Sequence, residues 1–157
     1  MDNNKSVSVL DVADYILKQQ DENHPITAWK LQKLIYYCQA WSLVWDEQSL
    51  FREKILAWAN GPVVQELYQL HRGLFPGKKL SQGNANNLSD EQKDTINHVL
   101  KSYGNKTAQW LSDLIHMEKP WLYARHNLKA GERGNVEIPL SIMYEYYSSI
   151  DPRHQII

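Results

Sequence analysis

Residues Thr27 to Val44 read TAWKLQKLIYYCQAWSLV. Leu31, Leu34, Ile35, Cys38, Trp41 and the following Trp45 recur at helical spacing and make one apolar face. Trp29, Tyr36, Ala40 and Leu43 make a second face on the other side. Projected at about 100° per residue, only Gln32 and Gln39 are left as a clean polar stripe. A helix apolar nearly all round belongs in the middle of a domain, with other helices packed on it. Lys30, Gln32, Lys33, Gln39 and Ser42 interrupt it too often for a bilayer span. Thr27 is a good N-cap, and Pro25 disfavours helix just before it.

The chain of 157 residues suits one domain, read as spanning 1–157 with a core from 8 to 148. Apolar content of 43% against 22% charged places it among globular rather than disordered chains. Six Trp and nine Tyr against two Phe favour rings with a polar handle, which suit both cores and partner surfaces. A net charge of -1 gives no global basic field for nucleic acid. The single cysteine, Cys38, lies on the apolar face, so no intrachain disulfide forms and a reducing compartment is implied. The N-terminus, MDNNKSVSVLD, has no basic region followed by an apolar run, so it does not read as a signal peptide. A soluble cytoplasmic protein is expected.

Outward from the central helix, Ser8 caps a first helix that carries Val9, Val12, Ala13, Ile16 and Leu17 and ends near Gln20. Alternation over 54–58 fits a short strand. Gly61-Pro62 is expected to open a helix with Val64, Leu67, Tyr68 and His71 inward and Gly73 as its stop. Residues 73–88 read as a loop, with a type II turn at Pro76-Gly77. Ser89-Asp-Glu-Gln92 matches a capping box for a helix carrying Ile96, Val99, Leu100 and Tyr103, closed by Gly104. Thr107 starts the next helix, with Trp110, Leu111, Leu114 and Ile115. Residues 119–135 read as irregular, and 136–138 as a second strand that partners 54–58. Pro139 opens a last helix with Ile142, Met143 and Tyr146 inward. The expected fold is mainly α: a compact bundle of about five to seven helices, with at most one short two-stranded β pairing.

Motifs that carry chemistry are missing from the sequence. There is no nucleophile elbow and no P-loop. His116-Met-Glu118 begins the zinc deaminase signature, but the required P-C-x-x-C needs cysteines that Cys38 alone cannot supply. His116 and Glu118, two apart, point to different sides of a helix. The histidines show no paired ligand spacing, so neither metal nor cofactor is expected. Gly131-Glu-Arg-Gly134 has the spacing of an RNA-clamping loop but lacks the flanking apolar helices, and reads as a plain turn. Lys119, Arg125, Lys129 and Arg133 around it form a local basic segment able to meet an acidic partner.

Three blocks in order look like something specific. The first is T-x-x-K-L-Q-K-L-x-Y-Y-x-Q-A-W, with Lys30, Leu31, Lys33, Leu34, Tyr36 and Trp41. The second runs from Leu50-Phe51 to Ile55-x-Ala57-Trp58-x-x-Gly61-Pro62-Val63-Val64-x-x-Leu67-Tyr68. The third is Leu111-Ser112-x-Leu114-x-His116-x-Glu118-x-Pro120-Trp121, with Arg125 downstream and a closing Ile138…Tyr146-Tyr147. Together they resemble the Panacea domain, the SocA-like antitoxin family whose members include phage-associated GepA-like proteins, over about residues 8 to 148. The usual Pro before the Leu-Phe pair is replaced here by Gln48-Ser49.

That resemblance implies a non-enzymatic antitoxin that binds and neutralises a toxin encoded by an adjacent gene. One alternative is an adaptor that delivers the toxin to a protease or unfoldase; another is a nucleic-acid-binding phage-related regulator. Some family members carry an added DNA-binding domain, for which this chain leaves no room. Trp58, Tyr68, Trp121 and Arg125 are candidate toxin anchors, with Lys129, Arg133 and the 73–88 loop at the rim. Trp58 and Trp121 also read as packing residues, because motif positions shared across diverse toxins cannot all fit different partners.

Overall fold

The computed structural model describes residues 6–74 and 79–152. Among them are seven α-helices, one 3-10 turn and one two-stranded sheet, the mainly α architecture expected from the run of capped amphipathic segments. The caps act where the sequence places them. Ser8 and Ser89 close reciprocal capping boxes on α1 (Val9–Lys18) and α4 (Asp90–Tyr103). Thr27 and Thr107 accept the third backbone N–H of α2 (Ala28–Trp45) and α5 (Ala108–Ile115). Pro139 is the N-cap of α7 (Leu140–Ile150), whose buried residues are Met143 and Tyr147, with Ile142 and Tyr146 only half-buried.

Helix α2 is the axis, packed on by α1, α4, α5, α7 and the sheet. Every residue from Leu31 to Val44 is buried. One apolar cluster takes side chains from all seven helices. The expected polar stripe is therefore absent: Gln32 and Gln39 are 1% and 0% exposed. Each amide instead pairs with backbone. Gln39 accepts from Leu50 N at 2.6 Å and donates to Phe51 O at 2.9 Å. Gln32 accepts from Val64 N at 2.9 Å and donates to Val64 O at 3.2 Å. Seven residues apart on one helix face, the two amides hold the chain on either side of the sheet. Their burial is tolerated because both ends of each amide are satisfied.

The sheet departs from expectation. Gly61-Pro62 does not open a helix but forms strand β2 (Gly61–Val63), antiparallel to β1 (Leu56–Trp58) with Trp58 opposite Gly61. Gly61 has φ +134, a conformation that residues with a side chain rarely adopt, and Pro62 sits on an edge strand where its missing N–H costs nothing. Helix α3 begins later, at Gln65, and runs to His71. Residues 136–138 do lie against β1, through Ala57 N to Val136 O and Ile138 N to Ile55 O, both 2.8 Å, but as a single bridge rather than a strand. The span 119–135 is not wholly irregular: α6 (Lys119–Ala124) has Pro120 in its first turn. The Pro76-Gly77 turn lies outside the described residues. The second half of that loop is pinned to α1, with Asn84 N on Asp11, Ala85 N on Asp14, and Gly83 so close to the Leu10 carbonyl that a Cβ would collide.

Candidate partner-binding surface

Three structural supports hold the hairpin. Arg125, 5% exposed, donates to Ala57 O at 2.9 Å, to Glu132 O at 2.6 Å and to Lys129 O at 3.2 Å, and lies 5.4 Å from the centre of the Trp121 ring. Its guanidinium ties α6, β1 and the 129–132 loop together, because a planar fork of donors can serve several carbonyls at once. Trp121 Nε1 donates to Trp58 O at 3.0 Å. His116 packs edge-on against Trp121 at 4.1 Å, its Nε2 lying 3.2 Å from Ala59 O and its Nδ1 2.6 Å from Ser112 O.

On this support stands a row of aromatic rings. Trp29 packs on Tyr68 at 6.0 Å, and Tyr68 meets Trp58 edge-on at 5.1 Å. Trp58, half-buried, donates from Nε1 to Asn135 Oδ1 at 2.9 Å, so its ring is fixed at both ends. The structure thus brings the Trp58 and Tyr68 rings into contact, sets Trp121 beside them through its bond to the Trp58 carbonyl while its ring packs against the core, and adds Trp29, 38% exposed, whose part in it was hidden among the apolar positions of α2. Arg125 belongs to the foundation of that surface rather than its face. Lys129 and Arg133 are exposed on the 129–134 loop, where Lys129 N bonds Glu132 Oε1 at 2.9 Å.

The remaining motif residues are interior. Leu31, Leu34, Tyr36, Trp41 and Val63 are core residues, and Gly61, Pro62 and Pro120 are buried. Lys30 donates to Gly104 O at 2.6 Å, and burial lowers its pKa. Lys33 is 4% exposed beneath Trp29. Glu118, 5% exposed, closes a polar knot: its Oε1 accepts from Tyr37 at 2.8 Å and from Tyr147 at 2.7 Å. Tyr147 spends its one proton there, so Tyr36, 2.9 Å away, donates to Tyr147. Burial raises the Glu118 pKa, and the two hydroxyl bonds only partly offset it. The knot joins α2, α7 and the start of α6. The roles of Tyr37 and Tyr147 were not legible from spacing; the adjacent tyrosine pairs 36–37 and 146–147 are the only hint.

No helix among the described residues is long and apolar enough to cross a membrane. No group of three His, Cys, Asp or Glu among them could hold a metal ion. A helical scaffold that fixes a row of half-exposed aromatics defines a surface suited to protein contact. The chain belongs to the SocA-like antitoxin family, Panacea domain: the family model matches residues 31–122, from the first buried turn of α2 to α6. The match includes Trp58, Tyr68, His116, Glu118 and Trp121 and leaves out Trp29, Arg125, Lys129 and Arg133. No curated protein and no solved structure matches the chain.

Proposed function

We propose that this chain neutralises a protein toxin encoded by an adjacent gene, by binding it directly through the row Trp29–Tyr68–Trp58–Trp121. The observation that carries this reading, beside family membership, is the fixing of partly exposed indoles by their own hydrogen bonds, Trp58 on Asn135 and Trp121 on the Trp58 carbonyl. Rings already held in place lose little freedom on binding, and aromatic anchors dominate binding energy. The toxin would bury at least roughly 1,000 Å² in total, with Lys129 and Arg133 at the rim. Neutralisation must persist, so slow dissociation matters more than fast association.

The test is co-expression with the neighbouring reading frame, read as growth rescue and co-purification. Trp58→Ala should abolish both while the circular dichroism spectrum stays that of the parent. Rescue without a co-purifying complex would favour proteolytic delivery of the toxin. The absence of both rescue and a complex would remove the antitoxin reading.

A further inference from the structure

Lys33 is an anomaly beneath this surface, between Trp29 and the Gly61 turn. It is 4% exposed, yet among the described residues no carboxylate lies within ion-pair distance of it. Its amine makes one contact with an acceptor, Trp29 O at 3.5 Å, the far limit of a hydrogen bond. It sits 5.7 Å from the centre of the Trp29 ring, near the far limit of a cation–π contact. A Cβ on Gly61 would stand 3.8 Å from the amine, so the hairpin turn comes directly against it without covering it with a side chain. An ammonium carries three donors, and buried cations are ordinarily paired.

The surroundings sharpen the anomaly. Burial lowers the Lys33 pKa and no charged neighbour opposes that shift. Trp29, in the first turn of α2, is 38% exposed and, among the described residues, makes ring contacts with Tyr68 and His71. A long lysine stem readily carries its head past such a ring toward a surface.

We propose that Lys33 is the receptor for a carboxylate of the partner, an Asp or Glu side chain of the toxin that enters between Trp29 and the Gly61 turn. The inference rests on the aromatic row being the toxin contact, and adds the chemistry that the row selects. A carboxylate there would replace one long carbonyl contact with a charge-assisted pair sealed from water by aromatic rings. It would also give a chain of net charge -1 a specific preference for an acidic partner residue at this point. In the free chain the unpaired ammonium is a burden on stability; in the complex it is an anchor. A lysine with a purely structural role would behave in the opposite way.

The experiment uses the toxin recovered with the wild-type chain by co-expression. Lys33→Met keeps the stem and removes the charge. The isolated variant should melt at or above the parent temperature. Its complex should dissociate about thirtyfold faster or more, the lower range for truncating one side of a buried charge pair. Changing each toxin Asp to Asn and Glu to Gln should find one position whose loss weakens binding to the parent but not to Lys33→Met. Parent-like dissociation of Lys33→Met, with Trp58→Ala still defective, would overturn the carboxylate receptor and leave the aromatic contact standing. A Lys33→Met chain that melts well below the parent would overturn it too, by making Lys33 structural. Failure of the wild-type chain to hold the toxin would remove both readings together.

Discussion

Glu118 offers a test of the interior in which charge and hydrogen bonding can be separated. Glu118→Ala removes the shared acceptor of Tyr37 and Tyr147. Tyr36 and Tyr147, 2.9 Å apart, keep one bond between them, but one proton of that pair and the proton of Tyr37, stacked on Tyr103 at 4.2 Å, are left without an acceptor. Each buried hydroxyl proton left without an acceptor costs about 1–3 kcal/mol. The lost side-chain volume adds to this and the removed charge subtracts, for a net loss of about 2–4 kcal/mol. At about 2–4 °C per kcal/mol for a chain of this size, Tm should fall by roughly 4–16 °C. Glu118→Gln keeps an oxygen for both hydroxyls and cannot ionise, so it should equal or exceed the parent in stability at pH above the raised Glu118 value. The pH dependence gives the sign. Burial raises the Glu118 pKa above its ordinary 4.5, so the folded chain holds the proton more tightly than the unfolded chain. That contribution is fully present below pH 4.5 and is lost as pH rises through the raised folded value. Urea unfolding followed by tryptophan fluorescence from pH 4 to 8 would check this. The parent's stability relative to Glu118→Gln should fall across that range and then level off. A parent that gains on Glu118→Gln as pH rises, or a Glu118→Ala chain as stable as the parent, would refute the reasoning.

Leu34→Ala or Ile35→Ala, each at a fully buried position of α2, should cost about 2–5 kcal/mol, seen as a lower urea midpoint at unchanged slope. Gln39→Leu leaves the Leu50 and Phe51 backbone groups without their partner and should cost about 2–4 kcal/mol by the same assay. Arg125→Met unties α6 from β1 and the 129–132 loop; amide exchange should rise at Glu132 and along the hairpin more than in α4. Arg125→Glu places an acid against three carbonyls, so its loss of toxin binding should be accompanied by loss of fold in circular dichroism.

Much of the helical framework is legible because its signals are local. Ser8, Thr27, Ser89 and Thr107 each accept a bond from a backbone N–H within three residues, and nothing distant is needed to place them. The apolar periodicity of α2 marks it as central for the same reason. The aromatic anchors Trp58, Tyr68 and Trp121 could be chosen from their motifs, but their mutual contact could not.

Tertiary structure decided what depends on partners far along the chain. Gln32 and Gln39 look like a solvated stripe by residue type; only the arrival of Val64 and Leu50–Phe51 makes their burial tolerable. Gly61-Pro62 satisfies the local rules for a helix start, but the pairing of Trp58 with Gly61 and the bond from Arg125 to Ala57 O favour a hairpin. Glu118 becomes a buried knot through tyrosines 81 and 29 positions away. Lys33 is an ordinary lysine in the sequence, and burial without a carboxylate is a property that only the folded chain confers on it. Caps and periodicity act over one turn of backbone, whereas burial and hydrogen-bond satisfaction are set by whichever segments the fold brings alongside.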